Sequence, residues 1–190
     1  MKIIKFRATG KSPLLMHSDR FANPLDPMTK AHKALTSKRK KTDADHEDIG
    51  KSEWMGALYY DQDIGIYIPG QNIDAALIEA AKLSKLGRQI KRAAMVGEDC
   101  VVLQYSGPKD PERLFEDRRF VDVRGVKVST AKLMRFRPRF PEWQLDFTVN
   151  LDDEMMNEEE LIRIADHAGK FIGLCDYRPR FGKFDVEVLA

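Results

Sequence analysis

A chain of 190 residues, 43% hydrophobic and 33% charged, can bury a sizeable core without staples and has room for one domain with an insertion, or two small ones. Its formal net charge of +2 does not by itself single out a polyanion as partner. No apolar run approaches the roughly 20 residues that a bilayer-spanning helix needs.

The charge is unevenly distributed. Residues 1–60 carry +5 and residues 151–190 carry −5, as on a chain with one positive face. The two cysteines, Cys100 and Cys175, have no metal-like or redox-like spacing, so a reduced, cytoplasmic setting is expected. The N-terminal residues alternate and do not form the continuous apolar stretch of a secretion signal.

Residues 2–8 predict a first strand, ended by Gly10 and Pro13. Residues 17–57 change character. Pro24 and Pro27 break structure, the basic run Lys38-Arg39-Lys40-Lys41 follows, and Asp43–Asp48 is acidic. This stretch is too long and polar for an ordinary connection. It is expected to be a mobile inserted subdomain with short helices, the second over Glu47–Leu58. A hairpin is expected around Asp61–Gly65. Ile66–Ile73 then reads as a strand entering a helix through the Pro69-Gly70 turn. Ile73, Leu77, Ile78, Ala81 and Leu86 keep helical spacing, and Gly87 is a plausible stop.

Arg88–Val96 predicts a further turn or two of helix, and Val101–Leu103 a short buried strand. Residues 120–128 alternate around Gly125, and strands are also expected over 133–140 and 143–149. A helix from Glu158 to about Phe171 has an acidic first turn, as its dipole favours. Residues 183–189 form the last strand. Without the insertions, strands 2–8, 120–128, 143–149 and 183–189 with helices 71–86 and 158–172 give βαββαβ. This is an α+β, ferredoxin-like (RRM-like) domain with an antiparallel sheet, interrupted between its first strand and first helix.

Arg135, Arg137 and Arg139 lie on one side of an extended segment, spaced roughly 6.6–6.8 Å apart. That is close to the spacing of phosphates in an extended single strand, and Arg bonds phosphate through two parallel hydrogen bonds. Phe136 and Phe140 would stack bases if exposed; otherwise they are core and the arginines a solvated face. A second basic group, Arg178, Arg180 and Lys183, stands in a loop where Gly182 permits close backbone approach. The helix start at Gly70, Gln71 and Asn72 offers free amides to an anion, although Asn72 would serve equally as an N-cap. Lys38, Arg39, Lys40 and Lys41 would act as a tethered cation cluster.

His17, Ser18 and Asp19 are adjacent in sequence, which does not build a catalytic triad. Asp45, His46, Glu47 and Asp48 resemble a solvated loop more than a metal site. No phosphate-binding loop and no dinucleotide fingerprint is present, so neither cofactor nor metal is expected.

Asp61 through Leu77, with its acidic turn, Tyr67-Ile68-Pro69-Gly70 and following helix, resembles the helix entry of the RAMP superfamily. The likeness is greatest to the backbone subunits that coat guide RNA in CRISPR effector complexes. Gly173 through Phe184 resembles that family's C-terminal glycine-rich loop. The insertion before the first helix sits where the family places an extra subdomain. The last strands also look similar to those of small phage-encoded proteins.

The resemblance implies a ferredoxin-like domain and single-stranded RNA as first ligand. Some relatives cleave RNA with an aspartate of the insertion. Asp26 and Asp43–Asp48 lie in that region, but no motif selects one of them and no catalytic residue is assigned. The expected function is non-enzymatic binding of single-stranded nucleic acid, RNA before DNA, with self-association along the strand or assembly with effector-like subunits. The alternatives are an endoribonuclease and a phage protein that mimics or blocks an effector subunit.

Overall fold

The structure is a computed structural model and describes residues 1–128 and 131–189. In chain order it has β1 (Lys2–Gly10), β2 (Leu14–Leu15), α1 (Pro27–Thr36), α2 (Asp43–Ala57), β3 (Tyr60–Asp61), β4 (Gly65–Pro69) and α3 (Gly70–Lys82). There follow α4 (Gly87–Ala93), β5 (Ala94–Val96), β6 (Cys100–Val102), α5 (Pro111–Glu116), β7 (Val121–Val128), β8 (Ala131–Phe140), β9 (Gln144–Leu151), α6 (Glu158–His167) and β10 (Phe184–Leu189). The chain is α+β with antiparallel sheets. It forms two compact units, one of Met1–Leu14, Tyr60–Ser106 and Pro141–Ala190, the other of Leu15–Tyr59 and Gly107–Phe140.

In the first unit β10, β1, β9 and β5 form a sheet in that order, each antiparallel to its neighbours. Period two puts Ile4, Phe6 and Ala8 of β1 and Leu145, Phe147, Val149 and Leu151 of β9 into the core. The Phe6 and Phe147 rings stack at 5.6 Å. Helix α3 buries Ile73, Ala76, Leu77, Ala80 and Ala81, and α6 buries Leu161, Ile164 and Ala165. Each large apolar side chain so buried contributes about 1.5–3 kcal/mol.

The outward positions of β1 and β9 are Ile3, Lys5, Arg7 and Thr9, and Gln144, Asp146, Thr148 and Asn150. Arg7 is committed there to Asp146 through two hydrogen bonds of 2.7 Å. Among these described residues no ring stands ready to stack a base, as the sheet of an RNA-recognition motif requires.

In the second unit β7 and β8 form a hairpin running from Val121 opposite Pro138 to Val128 opposite Ala131. Helix α2 packs on β8 and inserts Trp54, whose Nε1 donates to the Phe120 carbonyl at 3.0 Å. Helix α1 packs on α2, where His32 Nδ1 meets Ser52 Oγ at 3.1 Å. Local chemistry starts both helices. Asp26 accepts from the amides of Met28 and Thr29 ahead of Pro27, and Thr42 and Asp45 form a reciprocal capping box. That box starts α2 at Asp43, four residues before the sequence expectation.

Two other elements differ from expectation. Val121–Val128 does not join the four-stranded sheet. It pairs along its length with β8, and the place beside β9 is held by Ala94–Val96. Three residues are too few to show an alternating pattern, so this strand was legible only as the end of a helix. Helix α3 stops at Lys82, short of Leu86. Lys85 takes a positive φ of 62°, and the Leu86 amide returns to the Ala81 carbonyl at 2.9 Å. The left-handed stop is therefore Lys85 and not Gly87. Among the described residues no helix is long and apolar enough to cross a membrane.

Candidate nucleic-acid interface

In the first unit the start of α3 and the C-terminal loop meet. The Asn72 side-chain amide donates to Cys175 Sγ at 3.8 Å. Gly70 is required by close approach: its amide donates to the Asp99 carbonyl at 2.9 Å, and a Cβ would lie 2.1 Å from the Glu98 carbonyl oxygen. Gln71 is exposed and Asn72 half-buried. Burial pushes the Cys175 thiol up to about 12. It is therefore a neutral thiol near neutral pH and a poor nucleophile.

The loop between α6 and β10 is closed at its base and open at its tip. Gly173 and Gly182 adopt φ of 81° and 73°. The Leu174 amide donates to the Gly182 carbonyl at 2.9 Å, and a Cβ on Gly182 would sit 2.1 Å from the Leu174 carbonyl oxygen. The amides of Gly182 and Lys183 donate to Pro13 O and Ser12 Oγ, each at 2.9 Å. Arg178 and Arg180 project from the exposed tip, while Lys183 is half-buried at the base.

Arg178 does not stand alone. The Glu79 carboxyl on α3 is held below its usual range, first by its hydrogen bond to Lys82 and then by the fields of Lys82, Arg178 and Lys91. At the α3–α4 corner Lys82, Lys85, Gly87, Arg88 and Lys91 line an open hollow of about 500 Å³. All four cations are exposed. No recognised motif marks this group in the sequence, although a signal exists. Lys82, Lys85, Arg88 and Lys91 recur every third residue, and no acid occurs between Glu79 and Glu98.

The second unit treats its arginines differently. Arg135 donates to Glu53 at 2.5 Å, and Arg139 Nη1 donates to the Arg119 carbonyl at 3.1 Å. Arg137, opposite Asp122 on β7, is only 8% exposed. Period two does place the three side chains on one face, but protein groups engage that face. Phe140 is fully buried and unavailable for stacking, whereas Phe136 is half-buried.

Lys38–Lys41 connects α1 to α2 with Arg39 and Lys40 exposed. Lys38 pairs with Asp45, and Lys41 Nζ donates to the Lys38 carbonyl at 2.8 Å. Ser18 accepts from the Arg20 amide and caps the short turn Asp19–Ala22, so His17-Ser18-Asp19 is a turn signature. Among the described residues no group of three or more His, Cys, Asp or Glu side chains is placed to hold a metal ion.

No family model and no curated protein matches this chain.

Proposed function

We propose that the protein is a non-enzymatic binder of single-stranded nucleic acid, RNA before DNA, built on a ferredoxin-like unit of the RAMP kind. The strand order β10-β1-β9-β5, flanked by α3 and α6, supports that assignment of the first unit. The observation that carries the binding reading is the cation-rich corner of Lys82, Lys85, Arg88 and Lys91, where the neighbouring acid Glu79 is paired with Lys82 and also lies in the fields of Lys91 and Arg178. Exposed cations at this density attract phosphates and release their counterions. The two glycines hold the neighbouring loop close to the backbone and leave the Arg178 and Arg180 side chains free to reach a strand.

Anisotropy titration of single-stranded RNA over a range of salt tests this. Replacing Lys82, Lys85, Arg88 and Lys91 together by Gln should lower affinity. It should also flatten the dependence of log affinity on log salt by roughly 0.7 for each phosphate that is no longer neutralised. Unchanged affinity and slope in a folded variant would sink the reading.

A further inference from the structure

We infer that the second unit holds a pocket for one unstacked nucleobase, of the kind that carries an exocyclic amino group. The inference deepens the nucleic-acid reading and rests on it for how the base arrives. A hollow of about 340 Å³ is lined by His46, Glu47, Asp48 and Lys51 of α2, by Phe115 and Arg118, and by Phe136 of β8. Its two phenyl rings are packed against neighbouring groups. Trp54 packs edge-on against Phe115 at 5.5 Å, and the Arg118 guanidinium lies 5.8 Å from the Phe115 centroid. Phe136 lies against Gly50, where a Cβ would come within 2.8 Å of the ring. Rings fixed in advance lose little freedom when a flat ligand stacks on them.

The rim decides which flat ligand fits. Glu47 and Asp48 are exposed carboxylates and accept hydrogen bonds only. Lys51 is engaged by Glu112. The exposed Arg118 also lines the hollow, so the rim sets a donor beside two acceptors and matches a neutral ligand that carries both kinds of group better than a bare phosphate or an apolar molecule. A base with an amino group supplies donors to these carboxylates: cytosine offers N4–H₂ where uracil presents a carbonyl oxygen.

Anisotropy with oligo-C, oligo-U and an abasic oligomer, each about ten nucleotides long, tests the pocket. The protein should bind oligo-C tighter than oligo-U, and both tighter than the abasic chain. Phe115→Leu should weaken oligo-C about tenfold and leave the abasic oligomer unchanged. Glu47→Gln with Asp48→Asn, on the exposed surface of α2, should erase the preference for C over U.

Equal affinity for oligo-C and the abasic oligomer overturns the pocket and leaves the polyanion reading standing, as does an equal loss on both in Phe115→Leu. If none of the oligomers binds, the polyanion reading falls. Cytidine monophosphate then decides the pocket. Shifts in the Phe115 and Phe136 ring resonances uphold it, and their absence ends it.

Discussion

Arg135 donates from Nη1 to Oε1 of Glu53 at 2.5 Å. The other oxygen of that carboxylate accepts from the Phe136 amide at 3.1 Å, so one side chain of α2 fastens the strand through two groups. Glu53 is 8% exposed and Arg135 35% exposed. The guanidinium that the sequence offers as a phosphate ligand is thus a structural partner of a buried carboxylate.

Removing Arg135 therefore acts first on stability. Breaking a fully buried pair costs about 3–5 kcal/mol and an exposed one about 0–1. With a third of Arg135 in water, Arg135→Ala should cost about 2 kcal/mol, a fall of roughly 4–8 °C in melting temperature. A scanning calorimeter checks this. An unchanged melting temperature would show that Glu53 is satisfied without Arg135. The result also governs any alanine substitution of the whole arginine row, whose loss of binding means little if the strand has come loose.

Asp74 gives a second, pH-dependent test. Burial raises its carboxyl above the usual range, against the lowering effect of the hydrogen bond it accepts from the Val96 amide at 2.9 Å. The unfolded carboxyl loses its proton at about 3.9, before the folded one, so the unfolded state binds fewer protons between those two values. The contribution of Asp74 is therefore fully present below about pH 3.9 and is lost as pH rises through its folded value. Asp74→Asn keeps an acceptor for Val96 and removes the charge. It should melt higher than the parent at pH 7, with the gain vanishing below about pH 4. A difference in melting temperature that is the same at both pH values would refute the burial argument.

Strands β1, β9 and β10 lie within one or two residues of their sequence expectation, because each is a sustained alternation with turn residues at an end. The acidic first turn marked α6 in the same way. What was not legible depended on tertiary partners. Ala94–Val96 is a strand because Val96 pairs with Val149, which three residues cannot announce. Period two put Arg135, Arg137 and Arg139 on one face, but periodicity cannot tell that α2 will bring Glu53 to that face. The loop glycines at Gly173 and Gly182 stood out in sequence. That Arg178 shares Glu79 with Lys91 did not, since those residues are brought together only by the fold. The capping signals Asp26-Pro27 and Thr42–Asp45 were present in a segment whose polarity suggested a mobile insertion with only short helices.

Those caps sharpen what proteolysis should show. The basic run lies between two capped helices, with Arg39 and Lys40 exposed. Lys38 holds the Asp45 carboxyl far below its usual range, with help from the Thr42 amide and hydroxyl. The connection is then the accessible point of the segment, whereas Lys30, Lys33 and Lys51 sit on helices whose backbone is hydrogen-bonded. Trypsin should nick first within Lys38–Lys41. The halves should stay together, because α1 packs on α2 and Trp54 remains buried under Phe120. Peptide mass mapping would locate the cut, and unshifted tryptophan emission would report the intact core. If the cations of this connection also meet nucleic acid, single-stranded RNA should slow the nick, and salt should abolish the protection. First cleavage after Lys30, Lys33 or Lys51 would mean that the caps do not hold these helices in solution. The pocket that α2 lines would then lose its frame.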